Sequence, residues 1–492
     1  MHLRRRNLFS LVIAAAVIAC AQGAAWADVI ADHEKLLANY RQQLATLADD
    51  ANRQSLAAEA KRCRDWLPQP APLVMRLPVI TQEGMPTAPA DASAAAQQWH
   101  AKFVALRQRQ AESLYGLAKQ SMKEKRPSLA WQLAQETLRE DPDHAAARRA
   151  LGYQLHEGRW LTSFELKKAK AKQVWTSKFG WLPDVEVPRY EAGERYYRGK
   201  WISAAEEAEL RSRIDRGWEV MTEHFIVHTN HSLEAGVKLG EHLERLSRVW
   251  HTLFITFEAT ESELTSWLEG KTAPRKTPPQ HHVWFFRDRD EYVKALQDEQ
   301  PWIANTTGYY DNDKRRSYLY AGITDYWNVY HEATHQLFAE LRGGRNPVAA
   351  KANFWVIEGI ACYMESLAER DGFYELDGNV AVRLADARVR LLRDDFYEPL
   401  AKLVQLGMLD LQKHAEIAKL YSQSAGLTWF LMHDGDGEYR DQLVEYLIRI
   451  YRGRDNPATL SDLTGRDYTQ LDQAYAEFLR KLQATVERAK GK

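Results

Sequence analysis

The stretch that decides the fold reads YHEATH at residues 330–335. On a helix, His331 and His335 lie one turn apart and project from the same face. Two neutral imidazoles at this spacing can bind one zinc ion, and Glu332 can take a proton from a metal-bound water. Catalytic zinc uses three protein ligands, and we predict that Glu358 supplies the third from a second helix. Taken alone, the first motif also fits an amphipathic helix with ordinary core or surface histidines.

A second pattern weakens that alternative. Residues 355–365 read WVIEGIACYME, a W-x-x-E-G-x-A-x-Y-x-E arrangement around Glu358. Together with H-E-x-x-H it resembles the gluzincin zinc metallopeptidases, in which the glutamate of such a segment completes the zinc site. The better overall match is the peptidase MA-like family of exported or envelope proteins, and gluzincin aminopeptidases are more distantly similar. The resemblance covers about residues 220–490 and implies zinc as cofactor, bound by His331, His335 and Glu358.

Roles are predicted for three further side chains. Glu332 is the predicted general base, which later returns the proton to the leaving amine; in a non-peptidase hydrolase it would only orient water. Tyr421 opens a segment, YSQSAG, that resembles the place where gluzincin aminopeptidases carry a tyrosine that hydrogen-bonds the intermediate. A tyrosine that only packs is the alternative. Glu365 lies two turns after Glu358 on the same face and is predicted to hold the far nitrogen of a zinc histidine. Further candidates near the site are Asp325, Tyr330 and His414.

One segment departs from the aminopeptidases. They carry a G-x-M-E-N loop that binds the α-amine of the substrate, and the nearest segment here, GYYDN at 308–312, differs at two informative positions. We interpret it as an edge strand and turn. We also predict an open cleft bounded by an edge strand near 318–321, which takes an extended polypeptide by strand addition. The expected activity is therefore that of an endopeptidase.

Two functional interpretations remain at this point. The first is an exported zinc metallopeptidase, which hydrolyses peptide bonds with a zinc-activated water and Glu332 as base. The second is a non-catalytic envelope binding or scaffold protein with a structural or vestigial zinc site. The intact Glu332 favours the enzyme, because a structural zinc site has no need of a base beside its ligand.

The N-terminus indicates export. Arg4–Arg6 form a basic segment, a short apolar run follows, and an A-x-A site ends at residue 27, which is typical of a signal covering residues 1–27. The alternatives are a bacterial lipobox, with residues 1–19 as the signal and a lipid anchor on Cys20, and a loosely matching twin-arginine signal. No later segment is apolar over a length that spans a membrane. We expect a periplasmic, secreted or lipid-anchored envelope protein.

Composition excludes some partners. The chain has 492 residues and a formal net charge of −1, so no basic excess points to nucleic acid. Apart from Cys20, the cysteines are Cys63 and Cys362. Two cysteines are not a disulfide framework, and the sequence does not decide whether they pair. We predict that Cys362 packs near the site as a small buried side chain rather than as a ligand.

The predicted fold is α+β and mostly helical. Residues 28–215 form a helical region, 216–345 a mixed β/α subdomain with the zinc helix, and 346–492 a helical C-terminal subdomain. Within the first region, residues 67–95 are rich in proline and alanine and are predicted to be a loop. The part that follows Glu358 is predicted to be almost wholly helical. Strands of a small mixed sheet are predicted near 224–229, 283–286, 308–310 and 317–320.

Two repeat-like patterns lie in the N-terminal half. Ala118, Ala130 and Pro142 are spaced as in one tetratricopeptide-like unit of two antiparallel helices. Such a unit can serve as a scaffold or bind a protein partner, and both readings stay open. Residues 158–162 (GRWLT) recur at 199–203 as GKWIS. In each copy a threonine or serine is followed by a glutamate three residues later, which predicts a capping box.

Overall fold

The computed structural model describes residues 7–271, 280–323, 326–341 and 348–490. The fold is α+β and mostly helical, as predicted. The predicted signal, including Cys20, precedes the first residue whose side chain is described, Val29, and Asp325 also lies outside the described residues. The chain divides into two compact units. The first comprises residues 1–71, 78–153 and 259–273, and the second comprises 72–77, 154–258 and 274–492.

The first unit is built from helices. They are Asn7–Arg53, Ala57–Trp66, Ala94–Lys123, Pro127–Glu140, Ala145–Ala150 and Glu261–Leu268. Helices Ala94–Lys123 and Pro127–Glu140 pack against each other, and Ala118 and Ala130 are both fully buried. Small side chains at these positions let the two helices approach closely. Trp99 and Phe103 stack in the core that Ala94–Lys123 shares with the first two helices.

Residues 154–210 differ from the predicted helical region, because they form three β-hairpins that group with the second unit. The hairpins are Gln154–His156 with Arg159–Leu161, Gln173–Thr176 with Gly180–Pro183, and Glu194–Tyr197 with Lys200–Ser203. The helices after them are Ser163–Lys170, Val187–Glu191 and Ala204–Leu210. The GRW and GKW segments are the second strands of the first and third hairpins, and both predicted capping boxes form. The middle hairpin was not predicted, since Pro183 replaces the serine or threonine cap.

Five strands form the central mixed sheet of the second unit. They are β1 (Trp218–Met221), β2 (Phe225–Thr229), β3 (His281–Phe286), β4 (Tyr309–Asp311) and β5 (Arg316–Tyr320). Their order is β4-β5-β3-β2-β1, with β2, β3 and β5 parallel and the outer strands antiparallel to their neighbours. Helix Leu233–Leu253, capped by Ser232 as its sequence indicates, packs on β1 and β2. Helix Arg289–Leu296 lies against β3 and β5.

One edge strand of this sheet is β4, and the other is β1. Strand β4 pairs with residues 316–318 of β5, so β5 lies inside the sheet. The prediction of an edge strand near 318–321 is therefore wrong for the paired residue 318. The other prediction, that segment 308–312 is an edge strand and turn, matches β4. The polar residues Asn312 to Lys314 complete the turn into β5. A short connection of this kind lets the antiparallel β4 fold back and cover β5.

A second sheet was missed by the prediction. It has three strands in the order Val74–Pro78, Phe373–Asp377, Leu367–Arg370. The first strand lies in the segment predicted to be a loop, and the other two form a hairpin in the part predicted to be almost wholly helical. Asp371 and Gly372 have φ values of +50° and +77°. An Asp-Gly pair with two positive φ values is the signature of a tight hairpin turn, so this signal was present in the sequence.

The remaining helices carry the candidate site. Four of them are named here by their key side chain: the histidine helix (Trp327–Leu341), the glutamate helix (Phe354–Met364), the arginine helix (Val382–Leu392) and the tyrosine helix (Ile417–His433). The others are Leu400–Leu403, Met408–Gln412, Arg440–Tyr451, Thr459–Thr464 and Tyr468–Lys490. Short 3-10 turns are Asp184–Glu186, Ile214–Arg216, Ile255–Phe257, Ile303–Asn305 and Asp434–Asp436. Cys63 and Cys362 are buried free thiols. Over the described part of the chain, no helix offers an apolar stretch of membrane-spanning length.

Candidate metal centre

A buried polar network holds the histidine helix against the sheet. Glu340 pairs with His281 of β3 at 2.8 Å, and both side chains are almost fully buried. Gln336 donates to the His282 carbonyl at 3.0 Å and accepts from the Ser317 hydroxyl at 2.8 Å. These bonds satisfy polar groups that would be costly to bury unpaired. They also fix the rotation of the helix about its axis, and hence the direction of its histidine face.

The three predicted ligands meet at one point. The His331 Nε2 and His335 Nε2 atoms are 3.2 Å apart. The nearer Glu358 oxygen lies 3.4 Å from His331 Nε2 and 3.7 Å from His335 Nε2. The side chains of the three residues are 12%, 17% and 7% exposed, respectively. The sequence prediction that a second helix returns to the first at Glu358 thus agrees with the geometry.

This donor triangle can be tested against the size of a metal ion. Zinc binds nitrogen and oxygen at about 2.0–2.2 Å in tetrahedral geometry, which separates neighbouring donor atoms by roughly 3.3–3.6 Å. The observed separations of 3.2, 3.4 and 3.7 Å bracket that range. Two imidazoles and one carboxylate are also a donor set that zinc uses at catalytic sites, where a fourth position stays open. The residues therefore fit a zinc ion.

The glutamate helix is placed by the residue that precedes it, Asn353, and by a glycine. Asn353, fully buried and with φ +61°, accepts from the Tyr446 hydroxyl at 2.7 Å and donates to Asp455 at 2.8 Å. A Cβ at Gly359 would come within 2.4 Å of Thr428 Oγ1 and 2.6 Å of the Ser424 carbonyl. The backbones of the glutamate and tyrosine helices are therefore too close for any side chain at this position. This explains the glycine of the W-x-x-E-G motif by packing.

The ionisable groups of the triangle influence one another. Burial alone would raise the pKa of Glu358, but His335 and His331 beside it hold that pKa well below its usual range. Burial alone would lower the pKa of His331, but hydrogen bonds with Cys362, Glu358 and Glu365 raise it well above its usual value. A deprotonated carboxylate between two imidazoles is the charge arrangement that a divalent cation needs.

Glu332 points to the edge strand β4. Its Oε2 atom accepts a hydrogen bond of 3.0 Å from the backbone N–H of Tyr310. A Cβ at Gly308 would come within 2.9 Å of Glu332 Cγ, so the glycine leaves room for this side chain. The predicted base is thus held at the sheet edge by the backbone of β4. The Tyr310 contact could not be predicted from the sequence, because a backbone donor does not depend on residue type.

Tyr421 lies beside the third ligand. Its side chain is partly buried, and the Glu358 carboxylate acts electrostatically on its hydroxyl. Burial first, and then the negative charge of Glu358, raise the pKa of Tyr421 far above its usual value. The hydroxyl therefore keeps its proton at any physiological pH and remains a hydrogen-bond donor.

The far side of His331 has its own partners. The Nδ1 atom lies 2.8 Å from Glu365 Oε1, as the helical spacing predicts. Arg383 of the arginine helix donates through Nε to both Glu365 oxygens, at 3.2 and 3.1 Å. The Cys362 thiol lies within 4.8 Å of a ring nitrogen of His331. Sequence reasoning missed Arg383, since a lone arginine in a separate helix carries no motif.

The further candidates Tyr330 and His414 have different surroundings. The Tyr330 hydroxyl lies 2.9 Å from His242 and 3.4 Å from Arg245, so it supports the outside of the histidine helix. His414 accepts from the backbone N–H of Glu416 in a turn, and no contact links it to the donor triangle among the described residues. Two groups of residues could hold a metal in the described part of the chain. They are His331 with His335 and Glu358, and His331 with Cys362 and Glu365.

Comparison with known proteins yields no matching family model and no similar curated protein. The gluzincin resemblance therefore rests on the two motifs and stays a prediction. The geometry described above stands independently of it, because it depends only on this chain.

Proposed function

We propose that this protein is an exported zinc metallopeptidase of gluzincin type, acting in the envelope or outside the cell. The observation that carries the proposal is the donor triangle of His331, His335 and Glu358, with Glu332 next to His331 on the same helix. Two histidines and a glutamate as metal ligands, together with a base and a partly buried phenol, are typical of a zinc hydrolase. The export part rests on the N-terminal sequence pattern alone.

Each side chain near the donor triangle has its own role in the proposed hydrolysis. When bound, zinc would polarise the scissile carbonyl and lower the pKa of a coordinated water. Glu332 takes the proton from the attacking water and returns it to the leaving amine. Tyr421 donates to the carbonyl oxygen as negative charge develops there. Glu365 accepts from Nδ1 of His331, which leaves the lone pair of Nε2 directed at the donor triangle.

The substrate we propose is a polypeptide cleaved internally. The edge strand β4 offers its outward backbone groups to an extended chain, and the N–H of Tyr310 is one of them. A peptide that pairs with β4 would compete with Glu332 for this N–H and so release the carboxylate beside the scissile bond. Recognition of backbone rather than of a chain end predicts that N-terminally acetylated peptides are cut as well as free ones. Hydrolysis that needs a free amino terminus and releases single residues would contradict it.

The test compares the mature protein with its Glu332→Gln variant. Mass spectrometry should find about one zinc per chain in both, because Glu332 is not a ligand. Profiling against a peptide library should show cleavage that falls by about 10²–10⁴-fold in the variant, the usual contribution of a general base. Glu416→Gln, an exposed glutamate paired with Lys419, serves as a control that keeps activity. Equal cleavage by wild type and Glu332→Gln would point to a contaminant and overturn the proposal. Zinc without any turnover would favour the scaffold interpretation.

A further inference from the structure

Arg383 has donor groups that the protein itself does not use. Its Nε atom is bound to Glu365, while its two terminal amino groups have no hydrogen-bond partner among the described residues. The side chain is 31% exposed, so these groups reach solvent. An arginine whose role was only to hold Glu365 would be expected to use its planar fork in a bidentate pair. Here it contacts Glu365 through one nitrogen and keeps the other two free.

The position of this guanidinium relates it to both sides of the donor triangle. Glu365, which it binds, contacts His331 Nδ1 at 2.8 Å. Its Cζ atom lies 5.7 Å from the ring centre of Tyr421, the proposed donor to the substrate oxygen. A single side chain therefore separates Arg383 from the proposed metal ligand His331. Successive Cα atoms of an extended substrate are about 3.8 Å apart. A substrate group one or two residues from the scissile bond is therefore within reach of Arg383.

The charge around Arg383 leaves it able to bind an anion. The Glu365 carboxylate is shared between His331 and Arg383, so it does not saturate the guanidinium. Among the described residues, no other acidic side chain pairs with Arg383. Two free N–H groups on a planar fork match the two oxygens of a carboxylate, and Arg is the residue best suited to that geometry.

We propose that Arg383 forms a subsite that binds a carboxylate of the substrate next to the scissile bond. This inference rests on the proposed peptidase function and adds a substrate preference to it. The carboxylate can belong to an acidic side chain or to the C-terminus of the peptide. Both sources present the same two oxygens, and the experiment separates them.

The experiment uses short acetylated polyalanine peptides that carry one glutamate or one glutamine, placed in turn at each position. A second pair has no such residue and ends in a free acid or an amide. Cleavage is followed with the zinc-loaded mature protein, and binding is followed by calorimetry with the Glu332→Gln variant. Arg383→Gln and Arg383→Lys are compared with Arg393→Gln, an exposed arginine at the end of the same helix that pairs with Asp394.

The wild type should prefer the carboxylate member of one pair by about ten- to hundredfold in kcat/KM, the effect of one charge-assisted hydrogen bond. Arg383→Gln should abolish this preference at unchanged zinc content, Arg383→Lys should retain part of it, and Arg393→Gln should retain all of it. Preference for a glutamate identifies an acidic side chain and agrees with internal cleavage. Preference for the free acid identifies the terminus, which upholds the subsite and contradicts internal cleavage. A preference near one in wild type, or the same preference in Arg383→Gln, would overturn the inference and leave Arg383 as a positioning residue for Glu365. Discrimination in binding without any cleavage would uphold the subsite and overturn the peptidase function.

Discussion

His331 lies between two groups of potential metal ligands, and the two groups differ in their charge. His335 and Glu358 meet its Nε2 atom, and no lysine or arginine pairs with Glu358 among the described residues. Cys362 and Glu365 surround the same imidazole from the other side, where Arg383 already pairs with Glu365. The first group is His331, His335 and Glu358, and the second group is His331, Cys362 and Glu365. With neutral imidazoles, the first group has a net negative charge, whereas the charge of the second group is neutralised by a guanidinium.

Proximity of metal-binding residue types does not by itself define a metal site. A divalent cation gains from an unneutralised carboxylate and loses from a nearby fixed positive charge. Burial adds to the contrast, because it raises the pKa of the Cys362 thiol and thereby opposes formation of the thiolate that a metal would need. We therefore assign the first group to the metal and the second to support of His331. The predictions below test this assignment.

The largest effect is expected from His335→Ala. This change removes one donor from the first group and leaves the second intact, so zinc should fall from about one per chain to a small fraction of that. Metal analysis of the purified protein after dialysis measures it, and hydrolysis should be lost with the metal. His414→Ala is the control, since His414 lies in a turn without contact to the site among the described residues. Full zinc occupancy in a His331/His335 double alanine variant would disprove the assignment.

Tyr421→Phe should leave zinc in place and lower turnover. The hydroxyl matters only when charge develops on the substrate oxygen, so kcat should fall by roughly 10–10³-fold while KM changes little. Steady-state kinetics with one cleaved peptide gives both constants, and Tyr439→Phe, at the residue before helix Arg440–Tyr451, controls for loss of a hydroxyl. Unchanged turnover would mean that Tyr421 only packs, and would leave the first group without its proposed donor.

The parts of the site that were predictable from sequence are those set by helical spacing. Within one helix, the spacing of two residues determines whether their side chains share a face. This relates His331 to His335, and Glu358 to Glu365 at the end of the glutamate helix. The meeting of the two helices followed from the recognised motif rather than from geometry. Tyr421 was found through its distance in sequence from Glu358. In the structure it is brought close because Gly359 allows the tyrosine helix to cross at backbone distance.

What could not be predicted depends on how separate elements cross. Arg383 reaches Glu365 from a helix that follows an unexpected hairpin, and neither residue type nor spacing encodes that approach. The edge strand was placed partly in the wrong segment, because β4 is too short to show a clear alternation of apolar and polar residues. The hairpin at Asp371 and Gly372 could have been predicted from its turn, but the apolar helical pattern on both sides outweighed it.

Glu365→Gln should weaken zinc binding without removing it. The variant keeps a hydrogen-bond acceptor for Nδ1 of His331 but loses the negative charge that makes the imidazole a better ligand, so zinc affinity should fall by about 10–100-fold. Competition with a chelator of known affinity measures the change. Glu369→Gln is the control, because Glu369 pairs with Arg245 on the outside of the site. An unchanged affinity would show that the second group does not support the first.

Cys362→Ala should have the smallest effect and gives the sharpest test of the comparison. If the second group only supports His331, loss of the thiol removes one weak hydrogen bond and costs on the order of 1 kcal/mol of stability through the small space it leaves. Zinc affinity should stay close to that of wild type, and the cobalt-substituted protein should lack the absorption band of a metal-bound thiolate. If Cys362 were a ligand, its removal would lower metal affinity as strongly as His335→Ala does, and the band would be present in wild type and absent in the variant. That outcome would reverse the assignment of the two groups, since the metal would then bind on the side of His331 where Arg383 lies.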